Sequence, residues 1–565
     1  MLTSTTRLTR WGETLNGGRI LLGACFFAAS LTPSLIPRDE IVQGGLSGAG
    51  FFIGYAIGTV AHWLWRYLEL PQLPSRVRLG LNTFALIGAL SLAALALAHA
   101  TDWQNATRAA MQMTPADATW RVALTLVAVV TALALFVLAW IVRFVFGLLA
   151  SRTARLLPRR VANVIAAVVV IALFWSVANN LVVRTVLNAL DSSFAEWDRL
   201  FEPERPQPTG ADKTGGPLSL VNWNELGRTG RRFVASGPTG ERIAELTRRP
   251  AQTPIRVYVG LQGAGTAEDR AKLALEELKR QRGFDRAMLI IVTPTGTGWI
   301  DPAAIDTVEV LHDGDVASVA VQYSYLNSPL SLLVQPELGA QAARALFREI
   351  YEHWTSLPQD KRPKLYLHGL SLGSLNSEKS TELFEIIGDP INGALWSGPP
   401  FANRAWRTFT DGRKEGTPLW RPEFRDGAFV RFMNQAGSPV PKDAPWGPIR
   451  IVYLQYASDA ITFFDVQTAW RRPAWIAEPR APDVAPTLQW YPIVTMLQLA
   501  IDMGFANNTP MGFGHVFAPE HYIDAWVTLT DPPGWTAEAL SALKTRLADE
   551  ARRPSQQDAY EGRGG

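Results

Sequence analysis

Leu367–His368–Gly369–Leu370–Ser371–Leu372–Gly373–Ser374 is the stretch on which the reading of this chain turns. A short apolar run, Lys364–His368, precedes it, and a helical pattern, Leu372–Ile387, follows. The pattern is G-x-S-x-G at a strand-to-helix junction. Both glycines have a reason: the turn is tight, and backbone must pass close to the serine on either side. Without its flanks the pattern carries little weight. With a strand before and a helix after, it describes a serine held out on a strained turn as a nucleophile.

Outward from that turn, strand and helix patterns alternate. Short runs rich in β-branched and aromatic residues fall at Ile255–Leu261, Ala287–Val292, Ala317–Tyr323, Asn392–Trp396 and Ile449–Tyr456. Helical periodicity separates them at Ala267–Arg282, Asp301–His312 and Leu338–Trp354. Nearly continuous apolar strands alternating with helices predict a mostly parallel sheet covered on both faces.

A nucleophilic serine needs a base, and the strand–turn–helix arrangement places the acid and then the histidine after it in the chain. Of seven histidines only His515 and His521 follow the expected acid. His515 sits in a glycine-rich loop, Met511–Val516, suited to an exposed imidazole; His521 opens an amphipathic stretch and reads as a packing or capping residue. Asp459 closes the late strand Ile449–Tyr456, where site residues of open α/β sheets gather. It would orient the imidazole, and its competing role is a helix N-cap before Ala460. Asp465 and Asp389 are the other carboxylates to weigh. An oxyanion needs two backbone donors: Leu372, directly after the serine, and one from a neighbouring loop. The preferred loop is Thr295–Gly296–Thr297–Gly298, with Thr295 and Gly296 as donors, and Gln262–Gly265 is the alternative.

The first third of the chain has a different composition. Residues 1–190 hold fifteen arginines, no lysine and six acids, a net of +9, while the rest carries −6. Five uncharged apolar runs fall at Ile20–Pro37, Gly45–Trp65, Leu79–Ala100, Val122–Val142 and Val161–Val183. A span needs about 20 apolar residues, so five transmembrane helices are expected, the first being short and containing Pro33. A cytoplasmic N-terminus puts eleven arginines inside and four outside. The positive-inside rule then delivers the later domain to the extracytoplasmic face of the inner membrane. Domains are expected at 1–190 (membrane), 191–220 (a proline-rich linker), 221–550 (α/β) and 551–565 (a disordered tail). A single cysteine, Cys25, excludes an intramolecular disulfide framework. No H-E-x-x-H or clustered ligands suggest a metal, and Gly263–Ala264–Gly265 lacks the third glycine of a dinucleotide loop because position 268 is Glu268. No cofactor and no nucleic-acid partner are expected. The expected partners are the bilayer and an acyl-ester substrate.

Several motifs together resemble one bacterial family. They are Leu31–Arg38 (LTPSLIPR), Thr293–Trp299 (TPTGTGW), Val319–Tyr325 (VAVQYSY) and His368–Gly373 (HGLSLG). The chain is similar to integral-membrane α/β-hydrolase-like proteins with a dedicated N-terminal membrane domain. The resemblance covers all but the tail and implies an α/β-hydrolase fold and a serine hydrolase, with Ser371, Asp459 and His515 as triad. It implies no substrate.

Three functions fit this reading: an esterase or lipase at the outer membrane face, an acyltransferase using the same triad, and a non-catalytic membrane scaffold. The aromatic segment Gly398–Gly447, with Trp406, Phe409, Phe424, Phe429 and Phe432, is either core or an apolar lid over an acyl groove.

Overall fold

The computed structural model describes residues 17–553, apart from 118, 177–197, 199–201, 203–204, 327–330, 332–336, 382–385 and 478. The tail beyond 553, the end of the fifth apolar run and much of the first half of the expected linker lie outside those residues. The chain divides into two compact units, one comprising 1–187 with 464–476 and 482–503, the other 188–463 with 477–481 and 504–565.

Helices α1 (Gly17–Ser30), α2 (Glu40–Tyr67), α3 (Ser75–Ala110), α4 (Trp120–Thr153) and α5 (Arg159–Ser176) build the first unit. Among the described residues four of them, α2 to α5, are long and apolar enough to cross a membrane. They suggest membrane association. They also expose large apolar side chains such as Phe84, Leu90, Val122 and Ile171, as helices facing lipid do. Of the five expected spans the first is described as a shorter apolar helix, beginning at the first described residue. Its described helix has 14 residues, about 21 Å at 1.5 Å per residue, against a hydrocarbon core of about 30 Å. The apolar run continues to Pro37, but the helix stops at Ser30. Pro33 and Pro37 bias Thr32 and Ile36 away from the helical region. Helices pack closely: a Cβ on Gly54 of α2 would lie 2.6 Å from the Leu22 carbonyl oxygen of α1, the small-residue contact that membrane helices favour.

The turn after α1 is the polar heart of this unit. Arg38 is buried and its Nε donates to Asp502 Oδ1 at 2.8 Å. Asp502 Oδ2 accepts from the Ser34 hydroxyl and, at 3.2 Å, from the Leu35 amide. Gln498 Nε2 donates to the carbonyls of Ser30 and Thr32, and Gln104 Nε2 to that of Arg38. Asp502 and Gln498 belong to the helix Val494–Gly504. This helix, far along the chain, is thus a component of the first unit.

The second unit carries a seven-stranded, all-parallel sheet: β1 (Ile255–Val259), β2 (Met288–Thr293), β3 (Val316–Val321), β4 (Lys364–Leu370), β5 (Gly393–Ser397), β6 (Val430–Met433) and β7 (Arg450–Leu454), in the order β1-β3-β2-β4-β5-β7-β6. β1, β2, β3 and β5 are buried at every position, so both faces are covered. Helices Ala267–Arg280, Leu338–Ser356 and Leu372–Ser380 pack on one another as one group. Pro302–Leu311, Pro519–Thr530 and Ala537–Ala551 form the other. The chain before β1 is tied down as well: Glu202 pairs with Arg228 and Arg232, and the Thr214 hydroxyl donates to the Arg256 carbonyl at 2.8 Å.

β6 had no counterpart in the sequence reading. It holds Arg431, which hides the apolar pattern, yet Arg431 is buried. Its Nε donates to the Gly427 carbonyl at 3.0 Å, and its guanidinium lies 3.9 Å from the Trp446 ring centroid. The aromatics around it pack on one another, with Phe432 buried, Phe409 and Phe424 half-buried and Phe429 exposed. Phe432 stacks on Tyr453 at 5.3 Å, and Phe409 meets Phe424 at 5.0 Å and Phe429 at 5.9 Å.

Candidate active site

β4 ends at Leu370 and the helix Leu372–Ser380 begins one residue later, leaving Ser371 alone in the turn. Its backbone angles, φ 56° and ψ −125°, are rarely adopted by an L residue and mark stored strain at a presented side chain. The strain is enforced by packing. A Cβ on Gly369 would strike the Gly373 backbone, and one on Gly373 the Thr293 carbonyl. The Ser371 amide donates to the Ser397 carbonyl at the end of β5 at 2.9 Å, which fixes the elbow to its neighbouring strand.

The helix opens with Leu372, so the Leu372 N–H has no acceptor within it. The loop after β2, the strand beside β4, abuts the elbow: Gly373 meets the carbonyls of Thr293 and Pro294. Its rival at 262–265 follows β1, at the sheet edge and two strands further away. The Thr295 N–H donates to the Trp299 carbonyl at 2.9 Å, so that amide is engaged inside its own turn, while Gly296 is the next residue along it. Three buried groups brace this loop. Tyr258 Oη donates to the Gly298 carbonyl at 2.9 Å, and Gln322 Nε2 and Thr229 Oγ1 donate to that of Thr297 at 3.2 and 3.3 Å. Gln322 and Tyr258 were not singled out in the sequence. Their signal was a polar residue closing a strand, at Gln322, and a tyrosine inside a buried one, at Tyr258.

Asp459 follows β7 and is fully buried. Its Oδ1 accepts from the Ile461 amide at 2.9 Å, and its Oδ2 from the Thr462 hydroxyl at 3.1 Å. Oδ2 also lies 2.7 Å from His515 Nδ1. Capping and imidazole contact therefore coexist in one carboxylate. The His515 loop is shaped by Gly512 and Gly514, at φ +94° and +56°. The Gly514 amide donates to Ser458 Oγ at 2.9 Å. His515 Nε2 is buried and has no hydrogen-bond partner among the described residues.

Gly398 links the serine and the histidine. It follows Ser397, the acceptor of the Ser371 amide, and a Cβ there would lie 2.5 Å from His515 Cε1. The imidazole rests on Gly398, which has no side chain to displace it. The other candidates are accounted for elsewhere. His521 Nδ1 lies 2.6 Å from the Tyr456 hydroxyl. His368 Nδ1 lies 2.9 Å from the Leu395 carbonyl, and burial holds that imidazole down at about 4. Asp465 caps a short helical turn through the Gln467 amide, and Asp389 pairs with Arg362.

Comparison with known proteins agrees with this architecture. Residues 255–543 match an alpha/beta-hydrolase family, and residues 31–238 match the N-terminal region described for an alpha/beta-hydrolase family. No curated protein matches the chain. No solved structure matches it either. With a seven-stranded parallel sheet, a serine elbow and a family match over half its length, the chain belongs to the alpha/beta-hydrolase family with a dedicated N-terminal domain.

Proposed function

We propose that the protein is a membrane-anchored serine hydrolase acting on an acyl ester, with Ser371, His515 and Asp459 as its triad. The observation that carries this reading is the 2.7 Å contact between Asp459 Oδ2 and His515 Nδ1, set beside the strained elbow through Gly398. Ser371 Oγ attacks the ester carbonyl while His515 Nε2 takes its proton. Asp459 holds the imidazole and stabilises its cation. The Leu372 amide, with Gly296 as the second donor, receives the oxyanion. Collapse of the tetrahedral adduct expels the alcohol, which leaves with the proton from Nε2. Water, deprotonated by the same nitrogen, then releases the acid and restores Ser371.

The membrane unit supports an extracytoplasmic placement of this chemistry. Gly44 and Gly48 of α2 meet Leu124 and Ala128 of α4 in the same order, so the two helices run parallel. The turns that follow them share one end, and around those turns lie Arg66, Arg76, Arg78, Arg143, Arg152, Arg155, Arg159 and Arg160. The positive-inside rule makes that end cytoplasmic. The chain after α5 then emerges on the opposite side, whichever side the residues before α1 occupy. A phosphatase fused at Gly565 is expected to be active and a fluorescent protein there dark.

The enzymatic reading is tested with purified protein against a panel of acyl esters. Wild type should turn over esters and Ser371→Ala should not. Equal rates for the two proteins would refute it.

A further inference from the structure

Two stretches of chain, 456–459 after β7 and 514–521 around the histidine, are joined by three side-chain links taken in order. The Gly514 amide donates to Ser458 Oγ at 2.9 Å. Asp459 Oδ2 lies 2.7 Å from His515 Nδ1. The third link is at Tyr456, whose hydroxyl accepts from the Ala518 amide at 3.1 Å and lies 2.6 Å from His521 Nδ1. Only the middle link belongs to the triad. The outer two pin the chain on either side of His515.

Tyr456 is the residue common to both stretches. It is fully buried. Its carbonyl accepts from the Asp459 amide at 3.1 Å, which shapes the turn that carries the carboxylate. Its ring stacks on Phe517 at 4.5 Å, and Phe517 meets the His515 ring edge-on at 5.8 Å. Ala518 opens the helix Pro519–Thr530 without a side chain able to cap it, and its amide goes to the Tyr456 hydroxyl instead. A displaced Tyr456 would therefore disturb the acid turn, the ring under the imidazole and the exit of the histidine loop together.

His521 holds Tyr456 by its hydroxyl. Burial keeps this imidazole below its ordinary range, in the neutral form whose Nδ1 accepts the Tyr456 proton. Its ring also backs the start of the loop: a Cβ on Gly512, at φ +94°, would lie 3.6 Å from His521 Cε1. The second histidine thus touches the loop of the first without touching Asp459 through its bonded nitrogen.

We propose that Tyr456 and His521 form a positioning pair that holds His515 at hydrogen-bond distance from Asp459. The proposal rests on the triad reading above and adds two residues that act through it.

The test uses the full chain in phosphatidylcholine nanodiscs, with p-nitrophenyl butyrate as substrate and the thermal midpoint recorded beside kcat and KM. Tyr456→Phe keeps the ring and its stack on Phe517 and removes only the hydroxyl. A shift of about 1 Å in a catalytic group costs about 10^2-fold, so a loss in kcat of about tenfold or more is expected, with KM close to wild type. His521→Ala should match it. His521→Asn keeps a side-chain oxygen that accepts and should restore most of kcat. The double variant Tyr456→Phe/His521→Ala should lose no more than the larger single loss, because the two residues make one link. Wild-type kcat in Tyr456→Phe, losses that multiply in the double variant, or no rescue by His521→Asn would overturn the proposal. If His521→Ala does not fold, Tyr456→Phe and His521→Asn decide it.

Carbethoxylation of His515 by diethyl pyrocarbonate, followed by peptide mass mapping, needs no turnover and keeps the two readings apart. Its rate should rise in Tyr456→Phe and His521→Ala and return toward wild type in His521→Asn. If wild type hydrolyses nothing while this pattern holds, the hydrolase reading falls and the positioning pair stands. If wild type hydrolyses the ester while kcat and His515 modification are unmoved in both variants, the hydrolase reading stands and the positioning pair falls.

Discussion

Two buried aspartates, Asp502 in the membrane unit and Asp459 in the sheet unit, show how similar ingredients serve different ends. Both are fully buried, and each faces a basic nitrogen. Asp502 meets Arg38, a group that stays charged at any accessible pH, and both its oxygens are occupied by Arg38, Ser34 and Leu35. That network closes on itself and holds the turn after α1 to the helix Val494–Gly504. Asp459 meets an imidazole whose other nitrogen is buried with no hydrogen-bond partner among the described residues. Its network ends in a group able to take a proton. A closed polar network holds chain segments together, and an open-ended one is equipped for chemistry. The two are linked in sequence: the chain leaves Asp459, contributes residues 464–476 and 482–503 to the membrane unit, and returns to present His515.

Substitutions at the two aspartates and their surroundings separate these roles. The largest effect belongs to the open network. Ser371→Ala and His515→Ala should lower kcat by about 10^3-fold or more, because triad members act as a unit. Their thermal midpoints should stay within a few degrees of wild type. Midpoints that fall steeply would instead make His515 a structural residue.

The closed network should behave in the opposite way. Arg38→Ala leaves Asp502 buried and uncompensated and is expected to cost about 3–5 kcal/mol of stability, read as lost thermal stability in nanodiscs. Protein that remains folded should still react with a serine-directed probe. Full stability in Arg38→Ala would show that the Asp502 site is not the clasp described here.

Gly398→Ala sharpens the comparison at one position. The added methyl must displace the His515 ring, at a backbone φ of +49°. A shift of about 1 Å in a catalytic group can cost about 10^2-fold in rate, and a loss of that order in kcat is expected with little change in stability. An unchanged kcat would mean that the imidazole does not depend on its seat at Gly398.

The smallest effect concerns a third buried carboxylate. Burial pushes Asp301 up to about 8, although it accepts a hydrogen bond from the Ala303 amide at 2.9 Å. Between about pH 4 and 8 the folded protein keeps a proton that the unfolded chain releases, so stability falls as pH rises through that window. Asp301→Asn keeps the helix cap and cannot titrate. Its unfolding free energy should exceed that of wild type increasingly toward pH 9, by about 1–2 kcal/mol after discounting for relaxation. Parallel pH profiles would show that Asp301 does not titrate there.

The sheet and its elbow were legible in the sequence because their signals are local. G-x-S-x-G lies between a strand and a helix, and six apolar runs carry period-free burial. β6 was hidden by Arg431, whose charge is met by carbonyls and an aromatic face that sequence alone does not place beside it. The end of the first apolar helix was not legible, because hydropathy runs on through Leu31–Pro37, while the helix stops at Ser30 and Arg38 pairs with Asp502, 464 residues away. That partnership is nonlocal, and so is the seating of Val494–Gly504. The choice between core and lid for the segment Gly398–Gly447 was not legible for a related reason: aromatic content records apolar area but not which face it covers.

The most direct measurement is covalent labelling of the detergent-free, full-length protein with a fluorophosphonate, followed by peptide mass mapping. The adduct is expected on the peptide carrying Ser371, in stoichiometric yield. Labelling should be slowed about 10^3-fold or more in His515→Ala if the proposed triad holds, since its imidazole is then the base that activates the serine. An adduct on a different residue, or equally fast labelling of Ser371 in His515→Ala, would contradict the account.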